Sequence, residues 1–174
     1  MTSENSFHTQ RLHIRPVTTE DAPFILELMN TPKWIQFIDD RKARTIKEAE
    51  NHIIEKALVQ FNKHSYSNNV ILRKDDNVKL GTCGINHRED REDPDIGFAF
   101  LPQYEGKGYA YEAANKLMHV AQQNYGLTEL SGYTLEENAA SRKLLERLGF
   151  SLIGLGNLPN SDDELLHYHR VLDF

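Results

Sequence analysis

The sequence of 174 residues has a single cysteine, Cys83, and no long apolar run. One cysteine excludes an internal disulfide framework and a zinc site built from several thiolates. A membrane-spanning helix needs about 20 consecutive apolar residues, and no stretch approaches that length. The first ten residues, MTSENSFHTQ, also lack the basic and then apolar layout of a secretory signal. We therefore expect a soluble, cytoplasmic protein with no membrane partner.

An excess of positive charge is missing as well, since 20 Lys and Arg residues stand against 26 Asp and Glu residues. Broad nucleic-acid binding needs a basic surface, so we expect no nucleic-acid partner. The net charge of −6 instead favours a cationic substrate such as an amine. The hydrophobic fraction of 39% is too high for a disordered chain. The length fits one folded domain over residues 9–174, preceded by a flexible tail over residues 1–8.

The hydrophobic pattern alternates between strand and helix periods and predicts a mixed α/β sheet. Two capping pairs, Thr18 with Asp21 and Thr45 with Glu48, predict the starts of two helices, separated by a break at NTPKWIQFIDD. Two later helices are predicted to end at glycines: one begins at Gly108, and the other spans residues 138–148 with Ala140 facing inward. Strands are predicted at residues 12–15, 70–73, 78–86, 95–101, 130–135, 151–155 and 165–172.

The strongest local pattern is a strand, then Pro102, then Gln103-x-x-Gly106-x-Gly108-x-Ala110, then a long amphipathic helix. Glycines let a backbone approach a ligand closely, and the first N–H groups of a helix have no internal partner. Such a turn can bind a phosphate or pyrophosphate, and Lys107 adds a cation. An ordinary strand-to-helix turn is the alternative. A Walker loop is absent, and a dinucleotide fingerprint would need glycine where Tyr111 stands.

This turn resembles the acetyl-CoA pyrophosphate loop of the GNAT N-acetyltransferase superfamily. A second segment, NAASRKLLERLGF from Asn138 to Phe150, resembles that superfamily's C-terminal helix motif. The opening TQRLHIRP is similar to the start of the RimJ/RimL branch, which acetylates N-termini of ribosomal proteins or other amines. The resemblance covers roughly residues 9 to 172. It implies the GNAT fold: about seven mostly antiparallel strands, helices on both faces, and a V-shaped splay between the fourth and fifth strands.

The resemblance also implies that acetyl-CoA is the cosubstrate. Its binding residues would lie in the fourth strand, the glycine turn and the last motif's helix: Phe98, Ala99, Phe100, Leu101, Gln103, Gly106, Lys107, Gly108, Tyr109, Ala110, Asn138 and Ser141. Glu105 departs from the pattern, because many relatives carry an aromatic residue there. Many GNAT enzymes protonate the leaving sulfur with a tyrosine, but Leu145 stands at that position here.

Two residues are the candidates for catalysis. Ser141 would replace the missing tyrosine as a hydrogen-bond donor to the sulfur. Asp95 opens the central strand on the face opposite Ile96 and would be the general base, with His87 and Glu89 after the preceding strand as the alternatives. A first-turn helix serine and a solvated strand-end carboxylate are the structural alternatives.

The resemblance implies acceptor binding at Trp34 and Phe37, in the loop between the first two helices, and His87 is a further candidate. No metal is expected, because His167 and His169 share a strand face without a third ligand. The predicted reaction is direct acetyl transfer in a ternary complex to a protein N-terminal α-amine. A small-molecule amine acetyltransferase and a weakly active acyl-CoA-binding module are the alternatives. The sequence leaves both a monomer and a homodimer open.

Overall fold

An eight-stranded sheet runs through the structure, a computed structural model that describes residues 5–38, 43–159 and 161–174. The strands lie in the order β1-β2-β3-β4-β5-β6-β8-β7, and only β5 and β6 are parallel neighbours. The strands are β1 (Phe7–His8), β2 (Leu12–Pro16), β3 (Asn68–Arg73), β4 (Lys79–Asn86), β5 (Asp95–Phe100), β6 (Glu129–Thr134), β7 (Ser151–Gly156) and β8 (Leu165–Val171).

Helices cover the sheet on both faces. They are α1 (Ala22–Met29), α2 (Pro32–Phe37), α3 (Ile46–His52), α4 (Val59–His64), α5 (Tyr109–Tyr125) and α6 (Ala139–Arg147), with a π-helical turn over Ile53–Leu58 between α3 and α4. Neighbouring residues of β3 belong to different cores, because Ile71 packs in the α5 and α6 cluster while Val70 and Leu72 pack with α1 and α3. In the described ranges, no helix has the length and apolarity to cross a bilayer.

The layer of α1 to α4 covers the β2 to β5 half of the sheet. Its buried core joins Val70, Leu72 and Leu101 to helical residues, and no residue of β6, β7 or β8 belongs to that cluster in the described part of the chain. The opposite layer of α5 and α6 extends further and includes Leu130 and Tyr168. One face of the β6–β8–β7 half, the open face, is therefore covered by no helix of the described part of the chain, although Arg91 of the loop before β5 reaches across it and donates to Asn157 O at 2.7 Å.

The fold confirms the predicted mixed, mostly antiparallel sheet with a splay. Strands β5 and β6 are in register only at Asp95 and Ser131, where Ser131 N–H donates to Pro94 O at 2.9 Å. Beyond that point they part. The short strand β1 raises the strand count by one, so the splay predicted between the fourth and fifth strands lies between β5 and β6.

Three local expectations are corrected. Phe7 and His8, assigned to the flexible tail, pair with Ile14 and His13, while residues 1–4 lie outside the described ranges. The break predicted at NTPKWIQFIDD contains helix α2, which Thr31 caps by accepting from Trp34 N–H and which has proline in its first turn. Ala140 is exposed, because α6 turns Leu145 rather than Ala140 toward the sheet. The assignment of residues 9–174 to a single domain stays a prediction.

Candidate active site

The glycine turn connects β5 to α5 and has two left-handed residues. Gly106 has φ +71° and Gly108 has φ +80°, backbone conformations that residues with a Cβ rarely adopt. The first hydrogen bond inside the helix runs from Glu112 N–H to Gly108 O at 3.0 Å. The N–H groups of Tyr109, Ala110 and Tyr111 therefore have no acceptor inside the helix, and they point out of its positive end. The turn has the geometry of an anion-binding site.

Arg11 holds this turn in place, a role that the sequence did not reveal. Its Nε donates to Glu112 Oε2 at 2.6 Å and its NH1 donates to Lys107 O at 3.0 Å. Its guanidinium also lies over the Tyr109 ring, 4.4 Å from the centroid. Burial raises the pKa of Glu112, but hydrogen bonds from Thr9 and Arg11 outweigh it and hold the pKa below its usual value. Arg11 and Glu112 are 101 residues apart, so no local sequence signal marks this contact.

The edge of β5 that faces the splay is free. Because Leu101 N–H donates to Leu80 O at 2.9 Å, the antiparallel alternation directs the odd-numbered residues toward β4. The backbone groups of Phe98 and Phe100 then face β6, which has already diverged. Of the four residues predicted along this strand, Phe98 and Phe100 have backbone groups on the splay. Those of Ala99 and Leu101 belong to the β4 ladder.

Helix α6 begins on the far side of the splay. Asn138 caps it, because its Oδ1 accepts from Ser141 N–H at 3.2 Å. Both residues are half-buried. Leu145, at the position of the missing tyrosine, is 1% exposed. A Cβ added to Gly132 would lie 2.7 Å from a methyl group of Leu145, so that side chain packs against the sheet.

The closed end of the splay carries two polar clusters. In the first, Arg88 binds both oxygens of Asp95, with Nε to Oδ1 at 2.6 Å and NH2 to Oδ2 at 3.1 Å. Asp95 is 4% exposed, so it is not a solvated strand-end carboxylate. Burial raises the pKa of Asp95, and the guanidinium of Arg88 opposes this rise.

The second cluster is centred on Ser131, which is fully buried. Its hydroxyl contacts the Asp93 carboxylate and lies 2.8 Å from His167 Nε2. The His167 ring stacks on Tyr133 with centroids 4.6 Å apart. Burial lowers the pKa of His167, and the charge of Asp93 opposes this. The sequence pattern singled out His167 only as half of an incomplete metal site.

The predicted acceptor residues lie on the first helical layer. Trp34 and Phe37 belong to α2 rather than to a loop, and the buried Trp34 Nε1 has no hydrogen-bond partner among the described residues. Lys33, also on α2, forms an ion pair with Glu105 of the glycine turn. The backbone of His87 is bonded on both sides to the Gln60 side chain, at 3.0 and 2.6 Å. His87 directly follows Asn86, the register partner of Asp95, so it lies at the closed end of the splay.

Two groups of residues thus lie around one cleft: a turn with the geometry of an anion-binding site at its open end and titratable side chains at its closed end. Among the described residues, no group of three His, Cys, Asp or Glu side chains could hold a metal ion. Cys83 is buried on the α5 side of the sheet, and burial raises the pKa of its thiol to about 12. That thiol is therefore not a nucleophile at neutral pH.

Comparison with known proteins identifies the family. The Acetyltransferase (GNAT) domain matches residues 11–151. The chain is 28% identical over 158 residues to the uncharacterized N-acetyltransferase p20 of Bacillus licheniformis, covering 86% of this chain and 84% of that protein. Among solved structures, an acetyltransferase from Agrobacterium tumefaciens superposes with a TM-score of 0.81 at 26% identity, covering 98% of this chain and 96% of the other.

RimL, a ribosomal L7/L12 alpha-N-protein acetyltransferase solved in complex with coenzyme A, has the same fold. It superposes with a TM-score of 0.80 at 18% identity, covering 95% of this chain and 96% of RimL. The splayed sheet, the glycine turn and the match over residues 11–151 agree with one another. The chain therefore belongs to the GNAT acetyltransferase family and is an acetyl-CoA-dependent N-acetyltransferase.

Proposed function

We propose that the protein transfers the acetyl group of acetyl-CoA to the N-terminal α-amine of a protein. The observation that carries this proposal is the free edge of β5, which leads directly into the glycine turn. An extended amide chain can hydrogen-bond to such an edge as an added strand does, and the turn offers N–H groups to a pyrophosphate. The likeness of the fold to RimL suggests a protein N-terminus as the acceptor.

Acetyl-CoA would lie across the splay from the turn to the closed end. In this proposal its pyrophosphate accepts from the backbone around Gly106 and Gly108, with Lys107 and Gln103 exposed beside it. Its pantetheine arm pairs with Phe98 and Phe100 and runs alongside Ala99 and Leu101. Asn138 and Ser141 form the opposite wall, where the Ser141 hydroxyl would donate to the thioester sulfur. The residues proposed along the turn also include Tyr109 and Ala110.

The acceptor would enter over the open face of the β6–β8–β7 half. Trp34 and Phe37 on α2 would border this entrance, with His87 at the closed end of the splay. An α-amine has a pKa near 7.7–8.0, against about 10.4 for a lysine side chain, so it needs less help to become neutral. In this proposal the amine attacks the thioester directly in a ternary complex, because the two substrates would approach the closed end of the splay from different sides. A cytoplasmic location belongs to this proposal, because newly made proteins present their N-termini there.

Thiol release from acetyl-CoA tests the acceptor class. We expect a peptide with a free N-terminal serine or alanine to be acetylated with a higher kcat/KM than a polyamine or a free amino acid. The matched control is the same peptide with a blocked N-terminus and an internal lysine, which should release no thiol above background. Transfer to polyamines alone would mean a small-molecule acetyltransferase. CoA binding without transfer to any amine would mean a binding module.

Gly108→Asp tests the assignment of the turn. The substitution adds a carboxylate beside the N–H groups proposed for the pyrophosphate, with its Cβ 3.3 Å from Arg11 NH2. We expect calorimetry to show at least about 100-fold weaker CoA binding, or about 2.7 kcal/mol. Gly126→Asp is the matched control, because Gly126 has φ +67° at the other end of α5. It carries the same backbone strain but lies away from the turn, and its CoA affinity should stay within about twofold. Equal affinity losses in both variants would count against the assignment.

A further inference from the structure

We propose that His167 is the general base of acetyl transfer, and that Ser131 and Asp93 position it. This inference rests on the proposed function and names the residue that receives the proton of the acceptor amine. The observation behind it is the convergence of three elements at the closed end of the splay: the connection before β5, strand β6 and strand β8.

His167 faces the side from which an acceptor could approach. A Cβ at Gly132 would meet Leu145, so Gly132 faces α6, and its neighbours Ser131 and Tyr133 face the opposite side of the sheet. His167 is the register partner of Tyr133 and shares that open face. On β7, its own partner is Gly154, and a Cβ built there would meet no atom within 4 Å. The β7 side of the His167 position is therefore open, while Arg91 lies over the Tyr133 ring, 4.8 Å from its centroid.

The hydrogen bonds of Ser131 decide which ring nitrogen of His167 is free. A hydroxyl has one proton, and an ionised carboxylate can only accept, so Ser131 donates to Asp93. Its oxygen then accepts from His167 Nε2, which must carry a proton. In the neutral ring the lone pair is left on Nδ1. No side chain in the described ranges makes a hydrogen bond to this nitrogen. His167 is thus oriented by one nitrogen and available through the other, as a general base requires.

The surroundings keep the ring neutral at neutral pH. Burial lowers the pKa of His167 most strongly, Arg91 and His169 lower it further, and Asp93 and Asp95 raise it. The ring of Tyr133 stacks on the imidazole of His167. The lone pair on Nδ1 is consequently present at pH 7 and is lost as the pH falls through the pKa of the ring.

Asp95, the base predicted from the sequence, is held differently. Both of its oxygens accept from Arg88, and the carboxylate is buried at the start of β5, beside the connection from β4 to β5. Burial raises the pKa of Asp95 despite this ion pair, but Arg88 occupies both carboxylate oxygens, which leaves Asp95 less accessible to an acceptor amine than His167 Nδ1. The Asp95–Arg88 pair instead anchors the connection that carries Asp93 to Ser131.

The neutral amine attacks the thioester carbonyl, so that a C–N bond forms and the C–S bond breaks. The nitrogen gives one proton to His167 Nδ1, directly or through one water, and the leaving thiolate of CoA takes up a proton. The imidazolium then returns its proton to solvent. The sum is one amine and one acetyl-CoA converted to one acetamide and one free CoA thiol.

Acetylation rates across pH 5.5–9 test this role, with kcat measured at saturating acetyl-CoA and N-terminal peptide. His167→Gln keeps a donor for Ser131 but has no titratable lone pair. We expect its kcat to fall about 100-fold and the acidic limb of the profile to disappear, with CoA affinity unchanged by calorimetry. Asp93→Asn should shift the acidic limb to lower pH, because a charge that raises the pKa of His167 is removed. His169→Gln, on the same face of β8, should keep the acidic limb and shift it slightly to higher pH, because a group that lowers the pKa of His167 is removed.

Other results would overturn the role of His167. An acidic limb that persists in His167→Gln and disappears in Asp95→Asn would identify Asp95 as the base. Nitrogen-15 spectra that show His167 protonated on Nδ1 would contradict the geometry without any turnover. If the wild-type protein acetylates peptides while His167→Gln keeps its profile, this inference alone fails. If the wild-type protein acetylates no amine, the proposed function fails with it.

Discussion

At the residue scale, Ser141 and Leu145 lie one helical turn apart on α6 and have opposite surroundings. Leu145 is buried against Gly132 and has no proton to give, whereas Ser141 is half-buried near the start of the helix. A serine hydroxyl is a poor acid but can hydrogen-bond to a developing thiolate. Ser141 would therefore stabilise the leaving group electrostatically, and water would deliver the proton.

Ser141→Ala should reduce kcat more than it reduces CoA affinity. A hydrogen bond to a developing charge is worth about 1.5 kcal/mol, so we expect about a tenfold lower kcat and less than a threefold higher Kd for CoA. Steady-state kinetics and calorimetry measure the two quantities. Ser151→Ala, at an exposed position on β7, is the control. Losses of equal size in kcat and CoA affinity would make Ser141 a binding residue instead.

At the scale of elements, helix α2 and the glycine turn are joined by the ion pair of Lys33 and Glu105. Glu105 places a negative side chain beside the proposed anion site. The structure places the Lys33 ammonium group beside the Glu105 carboxylate, so Glu105 adds no uncompensated negative charge to the turn. A pair of this exposure contributes little to folding stability, but it links the proposed acceptor helix to the proposed CoA site.

Lys33→Gln should weaken CoA binding about threefold at low salt, because it leaves the Glu105 carboxylate uncompensated. The double variant with Glu105→Gln should recover the wild-type affinity. Calorimetry at low salt and again at about 0.5 M salt measures the effect, which should disappear at the higher ionic strength. If the double variant binds CoA as weakly as Lys33→Gln, the ammonium group contacts the cosubstrate directly.

The elements predicted from sequence were those with strictly local signals. The capping box of α3 is an example, since Thr45 N–H donates to Glu48 Oε2 at 2.8 Å and Glu48 N–H donates back to Thr45 Oγ1 at 3.2 Å. Helix α2 was missed because it has six residues and no fully buried side chain, so no apolar stripe marks it. The β1 pairing was missed because a two-residue strand depends on its partner rather than on its own pattern.

At the scale of the whole molecule, Asp21 joins the first helix to two strands. It is fully buried and accepts from Arg15 on β2 and from Thr18 N–H, and it forms an ion pair with Lys79 on β4 at 2.7 Å. Burial raises the pKa of Asp21, but these partners outweigh it and lower the pKa to about 2. Because the folded pKa lies below the usual value of 3.8, ionised Asp21 stabilises the fold above that pH. The stabilisation is lost as the pH falls through about 2.

Asp21→Asn should lower the free energy of unfolding by about 2 kcal/mol at pH 7. The difference from the wild type should shrink between pH 4 and pH 2, because the wild-type carboxylate becomes protonated there. Urea denaturation at a series of pH values measures it. Asp76→Asn is the control, since Asp76 pairs with Arg73 at the surface, and its urea midpoint should barely move. A difference of the same size at pH 2 and pH 7 would indicate lost packing rather than lost charge.

The sequence by itself determined the helix caps, most of the strands, the glycine turn and the family, because each depends on residues a few positions apart. Tertiary structure alone decided the anchoring of the turn by Arg11 and Glu112 and the meeting of Asp93, Ser131 and His167. These contacts depend on strand order and register. Strand β8 lies between β6 and β7, and that insertion brings His167 within 2.8 Å of Ser131. No periodicity along the chain predicts such a distance, because it depends on the order and register of strands β6 and β8 in the folded sheet.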